Sequence, residues 1–379
     1  MNQVKRFAIN TILDRKLELE RLMCEAWGSL AVPAIRVAEF FGLVLIGLSS
    51  VMRGMSKPKI FLTRELPPAC MSFLREQAEL EWNREDRVLS KSEIIEGIKG
   101  KDGLLCILTD AIDGEVMDAA ADLKVVANYA VGFNNVEVTA ATERGILVTN
   151  TPGVLTETTA DMAWALMFAV GRRVVEGDRL VRSKRWSGWG PMQLLGLDIT
   201  GATLGLLGLG RIGKAMIQRA RGFNMEVLYW NRTRMSEEAE ARLGARYASR
   251  DELFSESDFV SIHVALNEAT THLVGERELA LMKETAFLIN TARGPVVDEK
   301  ALVKALKDGV IAGAGLDVFE NEPQLEPELY ELENVVTPPH LGSATIGTRT
   351  KMGLMAVENC LAACRGERPA NLVNPEVLS

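Results

Sequence analysis

Short apolar segments alternate with amphipathic segments along most of the chain. Apolar runs rich in β-branched residues occur at 59–63, 104–108, 125–129 and 146–149, and helix-like stretches such as 115–121 and 136–144 separate them. A second series of apolar runs covers 203–207, 226–230, 259–264, 286–289, 313–316 and 334–336. Strands that alternate with helices in this way are typical of parallel sheets built from βαβ units. The pattern therefore predicts an α/β protein with two doubly wound parallel sheets.

Two long amphipathic stretches flank the second series of strands. Residues 158–182 contain no proline and repeat apolar residues at helical spacing, and residues 349–365 form another such stretch. We therefore predict one long helix at each place. Because these helices lie on either side of the second unit, we infer that the second unit is inserted into the first, which the C-terminal residues rejoin.

Residues 1–54 do not follow this alternation. They contain an uncharged run of thirteen residues at 40–52, whereas a helix needs about 20 apolar residues to span a bilayer. Several acidic residues precede the run, which disfavours a secretory signal. We interpret residues 1–54 as an extension of unknown role, with a peripheral membrane anchor as the alternative.

The composition narrows the class of protein. Of the 379 residues, 47% are hydrophobic and 25% are charged, which is typical of a soluble globular chain. The net charge of -8 disfavours nucleic-acid binding, which needs a basic surface. Five scattered cysteines without a CxxC pair predict neither a disulfide scaffold nor a metal site, and they favour a reducing, cytoplasmic setting.

A glycine-rich motif follows the first apolar run of the second series. Gly208, Gly210 and Gly213 form a GxGxxG pattern that includes Arg211 and Ile212 and opens a helix-like segment. In this context the first glycine permits a tight turn, the second lets the backbone approach a pyrophosphate, and the third lets helix and strand pack closely. The first amides of the helix would bind the pyrophosphate. The motif therefore predicts a Rossmann-like dinucleotide-binding domain.

The residues after the next strand bear on the choice of dinucleotide. NAD-binding domains carry an acidic residue there that binds the ribose hydroxyls, whereas arginine accommodates the 2′-phosphate of NADP. This chain has Asn231, Arg232, Thr233 and Arg234, and no acid. The two arginines could instead be solvated surface charges. We predict a preference for NADP, with NAD also accepted.

Three polar residues follow later strands of the second series, namely Arg293, Glu322 and His340. Ligands of open α/β sheets bind beyond the carboxyl ends of the strands, so these side chains could meet in one crevice. Read singly, each could be an ordinary surface or loop residue, and spacing does not choose between Glu320 and Glu322. The chain has only three histidines, so His340 has few rivals for proton transfer near neutral pH.

Five motifs in this chain occur together in one family. They are NYAVG at 128–132, GLGRIG at 208–213, NTARG at 290–294, GAGLDVF at 313–319 and PHLGSA at 339–344. From about Met55 to the C-terminus the chain resembles the D-isomer-specific 2-hydroxyacid dehydrogenases, most closely the glyoxylate/hydroxypyruvate reductases.

The resemblance implies a catalytic trio. Arg293 would bind the substrate carboxylate and polarise the carbonyl group, His340 would donate or accept the proton, and Glu322 would hold the imidazole. Backbone amides around Val131 and Gly132 would also meet the carboxylate.

The resemblance further implies cofactor contacts, a domain division and a homodimer. The additional cofactor contacts fall on Thr291, Ala292, Asp317 and Gly342, and Arg293 and His340 lie beside the cofactor as well. Residues 55–155 and 345–379 would form the substrate-binding domain, and residues 156–344 the dinucleotide-binding domain. Trp189 would reach the substrate pocket of a neighbouring subunit.

Together these features predict an NADPH-preferring reductase of glyoxylate, hydroxypyruvate or a similar small 2-oxo acid, without nucleic-acid, metal or membrane partners. One alternative is a related dehydrogenase of phosphoglycerate or of a bulkier 2-oxo acid. A second alternative, from a different class, is a corepressor-like protein of the same fold that uses the dinucleotide to control assembly.

Overall fold

The computed structural model describes residues 57–379, of which Pro58–Ser379 form one compact unit. The extension predicted at 1–54 lies outside the described residues. The unit contains two parallel sheets, one of five strands and one of seven. The predicted α/β architecture of two doubly wound, Rossmann-like sheets is confirmed.

The five-stranded sheet has the order β2-β1-β3-β4-β5. Its strands are β1 Lys59–Leu62, β2 Glu79–Trp82, β3 Gly103–Cys106, β4 Val125–Asn128 and β5 Leu147–Thr149. The connecting helices are α1 Pro68–Gln77, α2 Lys91–Ile98, α3 Gly114–Asp118 and α4 Val138–Glu143. The strand order reverses between β1 and β3, which creates a switch point for ligands at the carboxyl ends of the strands.

The seven-stranded sheet has the order β12-β11-β10-β9-β6-β7-β8. Its strands are β6 Thr203–Leu207, β7 Glu226–Trp230, β8 Arg246–Tyr247, β9 Phe259–Ile262, β10 Phe287–Asn290, β11 Gly313–Leu316 and β12 Val335–Val336. The helices between them are α7 Arg211–Gly222, α8 Glu237–Leu243, α9 Arg250–Glu256, α10 Glu276–Leu281 and α11 Glu299–Lys307. This sheet reverses its order between β6 and β9, next to the glycine-rich turn.

Three further helices precede or follow the seven-stranded sheet in the sequence. Those before it are α5 Thr156–Gly171 and α6 Val174–Arg182, and the one after it is α12 Ile346–Cys364. The α5 helix packs on β10 and β11, whereas α12 packs on β3 and β4 of the first sheet. Val357 and Cys360 of α12 share the core of the first sheet with Ile60. The seven-stranded sheet is therefore built from chain that lies between two parts of the five-stranded unit.

The prediction of one continuous helix over 158–182 is wrong. Arg173 has φ 51°, in the left-handed region, and it separates α5 from α6. A residue in this conformation interrupts the helical hydrogen-bond ladder. The Arg173 guanidinium then pairs with Glu176 in the first turn of α6, with Nε–Oε2 at 2.8 Å.

Two structural features are absent from residues 57–379. No helix in this range is long and apolar enough to cross a membrane. No group of three or more His, Cys, Asp or Glu side chains in the range converges as metal ligands would.

Candidate active site

A cavity of about 470 Å³ lies where the carboxyl ends of strands from both sheets meet. Its walls come from the loops after β4 and β5 on one side and from those after β6, β9, β10, β11 and β12 on the other. Ten residues predicted from the sequence line it: Val131, Gly132, Arg211, Ile212, Thr291, Ala292, Arg293, Asp317, His340 and Gly342. The predicted convergence at the strand ends is therefore present in the structure.

Arg293 lies in the turn that follows β10. The side chain of Asn290 shapes this turn, because its Nδ2 donates to the Arg293 carbonyl at 2.9 Å and its Oδ1 accepts from the Ala292 amide at 3.0 Å. The guanidinium donates through Nε to Asn134 Oδ1 at 3.2 Å and through Nη1 to the Ala292 carbonyl at 2.7 Å. Burial lowers the pKa of Arg293, and the nearby Glu322 carboxylate opposes that shift.

His340 and Glu322 form a pair although they follow different strands. The Nδ1 atom of His340 lies 2.9 Å from Oε2 of Glu322, and the amide of Phe319 donates to Oε1 of Glu322 at 3.0 Å. With Nδ1 held by the carboxylate, Nε2 of the imidazole remains for a substrate. The backbone of His340 has φ 54°, in the left-handed region that non-glycine residues rarely adopt.

The pKa of Glu322 is lowered below its ordinary value. Burial by itself would raise this pKa, but the hydrogen bond and charge of His340, the Phe319 amide and the Arg293 guanidinium together outweigh burial. Glu322 is therefore a carboxylate near neutral pH, and it accepts a hydrogen bond from Nδ1–H of His340.

The structure distinguishes Glu322 from Glu320, which the spacing did not. Glu320 forms a separate pair with His272, with Nε2–Oε1 at 2.7 Å, and accepts a hydrogen bond from the Glu299 amide at 3.2 Å. Neither His272 nor Glu320 lines the cavity. Of the two glutamates, Glu322 alone lies beside His340.

The third histidine, His263, lines the cavity but differs chemically from His340. Its Nε2 lies 2.9 Å from the Ser261 hydroxyl, and burial lowers its pKa to about 4. His263 is therefore neutral at pH 7, without the charged carboxylate partner that His340 has.

The glycine-rich turn fits the pyrophosphate of a dinucleotide. Gly208 has φ +100°, and a Cβ on Gly213 would lie 2.6 Å from the Gly208 carbonyl oxygen, whereas a Cβ on Gly210 would point into open space. The α7 helix begins after Gly210 without a side-chain cap, so its first amides are available to an anion. The buried hydroxyl of Thr291 also has no hydrogen-bond partner among the described residues.

The segment after β7 differs from the expectation of two free arginines. Arg234 pairs with Glu240 through Nε–Oε1 at 2.8 Å and Nη2–Oε2 at 2.9 Å. Asn231 accepts a hydrogen bond from the Leu209 amide at 2.7 Å. Arg232 and Thr233 are exposed, and Arg232 forms no ion pair within residues 57–379. Within residues 57–379, Glu240 therefore occupies the guanidinium of Arg234, whereas no carboxylate occupies that of Arg232.

Trp189 does not line the cavity of its own chain. It lies in the segment after α6 and is 83% exposed. The other exposed large apolar residues of this region are Val174, Val181, Trp186, Met192 and Leu195.

A second cavity, of about 520 Å³, opens at the amino ends of β10, β11 and β12. The charged pair Arg173 and Glu176 lies in its wall. It contains none of the predicted site residues and lies at the edge of the sheet opposite the glycine-rich turn.

The sequence reasoning missed three asparagines at the site. Asn134 accepts from Arg293, Asn128 donates to the Gly132 carbonyl at 3.0 Å, and Asn150 donates to the Val131 carbonyl at 2.7 Å. The signal was an amide side chain directly at or after an apolar strand, as at Asn128 and Asn150.

A family model and a related sequence match this chain over long segments. The model described as D-isomer specific 2-hydroxyacid dehydrogenase, NAD binding domain, matches residues 164–342. The glyoxylate reductase of Korarchaeum cryptofilum is 54% identical over 325 residues, which are 85% of this chain and 97% of that protein.

Two solved structures are similar to the described fold. The glyoxylate reductase of Paecilomyes thermophila is 34% identical with a TM-score of 0.75, covering 85% of this chain and 100% of that one. The NADPH-dependent glyoxylate/hydroxypyruvate reductase of Sinorhizobium meliloti, in complex with NADP and malonate, is 34% identical with a TM-score of 0.76, covering 84% and 97%. The resemblance inferred from the motifs is thereby confirmed. The chain belongs to the D-isomer-specific 2-hydroxyacid dehydrogenase family and is a dehydrogenase dependent on a nicotinamide dinucleotide.

Proposed function

We propose that this enzyme is an NADPH-preferring reductase of glyoxylate, hydroxypyruvate or a similarly small 2-oxo acid, and that its product is the D-2-hydroxy acid. The observation that carries the proposal is the meeting of Arg293 with the His340–Glu322 pair beside one cavity. The names of the related glyoxylate reductases support the choice of substrate.

Arg293 would bind the substrate carboxylate. Its guanidinium is a planar fork of donors that matches a carboxylate in two parallel hydrogen bonds. The backbone amides of Val131 and Gly132 would bind the same carboxylate beside the guanidinium. Holding the carboxylate through several donors orients the adjacent carbonyl group, which lowers the barrier of a bimolecular reaction.

His340 would act as the general acid in reduction and as the general base in the reverse direction. Glu322 accepts a hydrogen bond from Nδ1–H, so Nε2–H is the group that donates a proton to the carbonyl oxygen as negative charge develops there. The imidazolium formed in the reverse direction is stabilised by the same carboxylate.

A bound nicotinamide dinucleotide supplies the hydride of this reaction. The residues that would hold it are the glycine-rich turn with Arg211 and Ile212, and Thr291, Ala292, Asp317 and Gly342 at the ends of the neighbouring strands. Asp317 accepts from the amides of Leu341 and Gly342 at 2.6 and 2.7 Å, so it also fixes the backbone next to His340.

The preference for NADPH rests on the segment after β7. A carboxylate at Asn231 would repel a 2′-phosphate, and none is present. Arg232 is exposed, and its guanidinium can donate hydrogen bonds to the phosphate. The exposed hydroxyl of Thr233 can donate another. We expect NADH to remain a slower cofactor, because the 2′-position is remote from the reacting carbon.

The domain roles follow from this arrangement. Residues 55–155 and 345–379 would form the substrate-binding domain, and residues 156–344, which also carry Arg293 and His340, would form the dinucleotide-binding domain. The cavity then lies between the two proposed domains. Arg293 of the dinucleotide-binding domain donates a hydrogen bond to Asn134 of the substrate-binding domain.

We also propose that two copies of the chain form a homodimer through α6 and the segment that follows it. Six large apolar side chains are exposed there, and such a patch is typical of an interface. Trp189 would then extend into the substrate pocket of the second copy. Sedimentation of wild type and of Trp189→Ala, combined with turnover of each, tests this assignment.

One assay panel tests the proposed function. The purified protein is given glyoxylate, hydroxypyruvate, 3-phosphohydroxypyruvate and a bulky aromatic 2-oxo acid, each with NADPH and with NADH. We expect the highest kcat/KM for the first two acids with NADPH. A maximum with the phosphorylated or bulky acid contradicts the substrate assignment, and dinucleotide-dependent assembly without turnover favours a corepressor.

A further inference from the structure

A buried asparagine lies directly behind the loop that carries the proposed carboxylate-binding amides. Asn128 is the last residue of β4 and is fully buried. Its Nδ2 atom donates at 3.0 Å to the Gly132 carbonyl and also at 3.0 Å to Oδ1 of Asn135. Asn135 in turn donates to the carbonyls of Ile107 and Asp110 at 3.1 and 3.0 Å. The Asn128 side chain therefore ties the loop to the segment after β3.

Three consecutive carbonyl groups of this loop are held by hydrogen-bond donors. In chain order, these bonds run from Thr151 N to Ala130 O at 2.8 Å, from Asn150 Nδ2 to Val131 O at 2.7 Å, and from Asn128 Nδ2 to Gly132 O at 3.0 Å. Two of the three donors are asparagine side chains. The orientation of the Val131–Gly132 and Gly132–Phe133 peptide planes therefore depends on those two residues.

A trans peptide directs its N–H away from its carbonyl oxygen. The amides that share these three peptide planes belong to Val131, Gly132 and Phe133, and they donate to no acceptor within residues 57–379. Amides without an acceptor in the protein can donate to a bound anion. Gly132 is also in contact with the Arg293 guanidinium, so the amides and the arginine are adjacent.

We propose that Asn128 and Asn150 are positioning residues for the substrate carboxylate, because they hold two of these three peptide planes so that the amides of Val131, Gly132 and Phe133 converge beside Arg293. This inference rests on the proposed function, since it takes a 2-oxo acid as the ligand. The two asparagines act through the loop backbone. Their loss would move the binding amides while leaving His340, Glu322 and the dinucleotide site in place.

Two variants test the proposal, Asn128→Ala and Asn150→Ala. Each is assayed for KM and kcat with glyoxylate, for inhibition by oxamate, a non-reactive analogue of glyoxylate, and for the Kd of NADPH. We expect KM and the oxamate inhibition constant to rise by about 10- to 100-fold, the range for weakening one or two hydrogen bonds to a charged group. The amides bind the carboxylate before and during reaction alike, so kcat changes less than KM. The Kd of NADPH stays unchanged.

Asn374→Ala is the matched control. Asn374 is equally buried in the same unit, accepts from the Val148 amide at 2.8 Å and donates to the Ile146 carbonyl at 2.9 Å, but it does not line the cavity. We expect this variant to lower the melting temperature while leaving KM and oxamate inhibition as in wild type. If Asn128→Ala does not fold, Asn150→Ala decides the test, because the Asn150 side chain is only partly buried.

The outcomes separate this inference from the proposed function. A wild-type protein that neither reduces glyoxylate nor binds oxamate overturns both. A wild type that reduces glyoxylate, with asparagine variants that keep its KM and oxamate inhibition, overturns the positioning role alone. An equal rise of KM in Asn374→Ala also overturns that role, because the effect is then a general loss of stability.

Discussion

The guanidinium of Arg293 occupies the space that a side chain on residue 132 would need. A Cβ at Gly132 would overlap the Nη2 atom of Arg293 and lie 3.0 Å from its Cζ. Gly132 lies in the loop after β4 of the five-stranded sheet, and Arg293 lies in the turn after β10 of the seven-stranded sheet. The two residues meet at the cavity. Gly132 is therefore required for close approach to the arginine, and not for a left-handed backbone.

We predict that Gly132→Ala displaces Arg293 and lowers kcat/KM for glyoxylate by about 100-fold, because an ångström-scale shift of a positioning group has that effect. Steady-state kinetics measure this change. Gly347→Ala is the control, since a Cβ there meets no atom within 4 Å. Equal activity of Gly132→Ala and wild type would show that Arg293 can move aside and still bind the substrate.

We predict that His340→Ala lowers kcat by about 10² to 10⁴, the range for loss of a positioned acid or base, with little change in the Kd of NADPH. His272→Ala is a matched control, because His272 also pairs with a glutamate but lies outside the cavity. Full turnover by His340→Ala contradicts the assignment, as does an equal loss in His272→Ala.

We predict that Arg232→Ala raises KM for NADPH by about tenfold, which corresponds to about 1.4 kcal/mol, and leaves KM for NADH unchanged. Arg234→Ala is expected to affect both cofactors alike, because Arg234 holds the loop through Glu240. Initial rates with each cofactor separate these effects. A wild-type preference for NADH, or equal effects of Arg232→Ala on both cofactors, contradicts the prediction of an NADPH site.

We predict that His263 makes the protein less stable in acid. Its pKa in the folded chain is about 4, below the ordinary value of 6.5. The unfolded chain therefore binds the proton first, and the free energy of unfolding falls as the pH drops from about 6.5 to about 4, by at most about 3 kcal/mol. Denaturant titrations across this range should show a smaller fall for His263→Gln, which keeps a neutral partner for Ser261. Parallel curves for the two proteins would contradict the prediction.

The sequence alone predicted ten of the twelve strands, with ends that differ by at most two residues from those observed. Strands such as β4 and β10 are buried along their whole length, so they read as continuous apolar runs. The two strands that it missed, β2 and β8, lie at sheet edges and contain charged residues. Strands β5 and β12 also lie at sheet edges, but their residues are mainly apolar, so the apolar pattern identifies them and not β2 or β8.

At the site, the sequence alone identified the candidate residues by their type and by their positions after strands. Ligands of open parallel sheets bind at the carboxyl ends of the strands. Spacing left Glu320 and Glu322 equivalent, and only the resemblance to the family assigned the role to Glu322. The tertiary structure shows that the two glutamates face different histidines. It also decided that Arg234 is occupied by Glu240. These outcomes depend on contacts between segments distant in the chain or on side-chain direction, and neither is encoded in local periodicity.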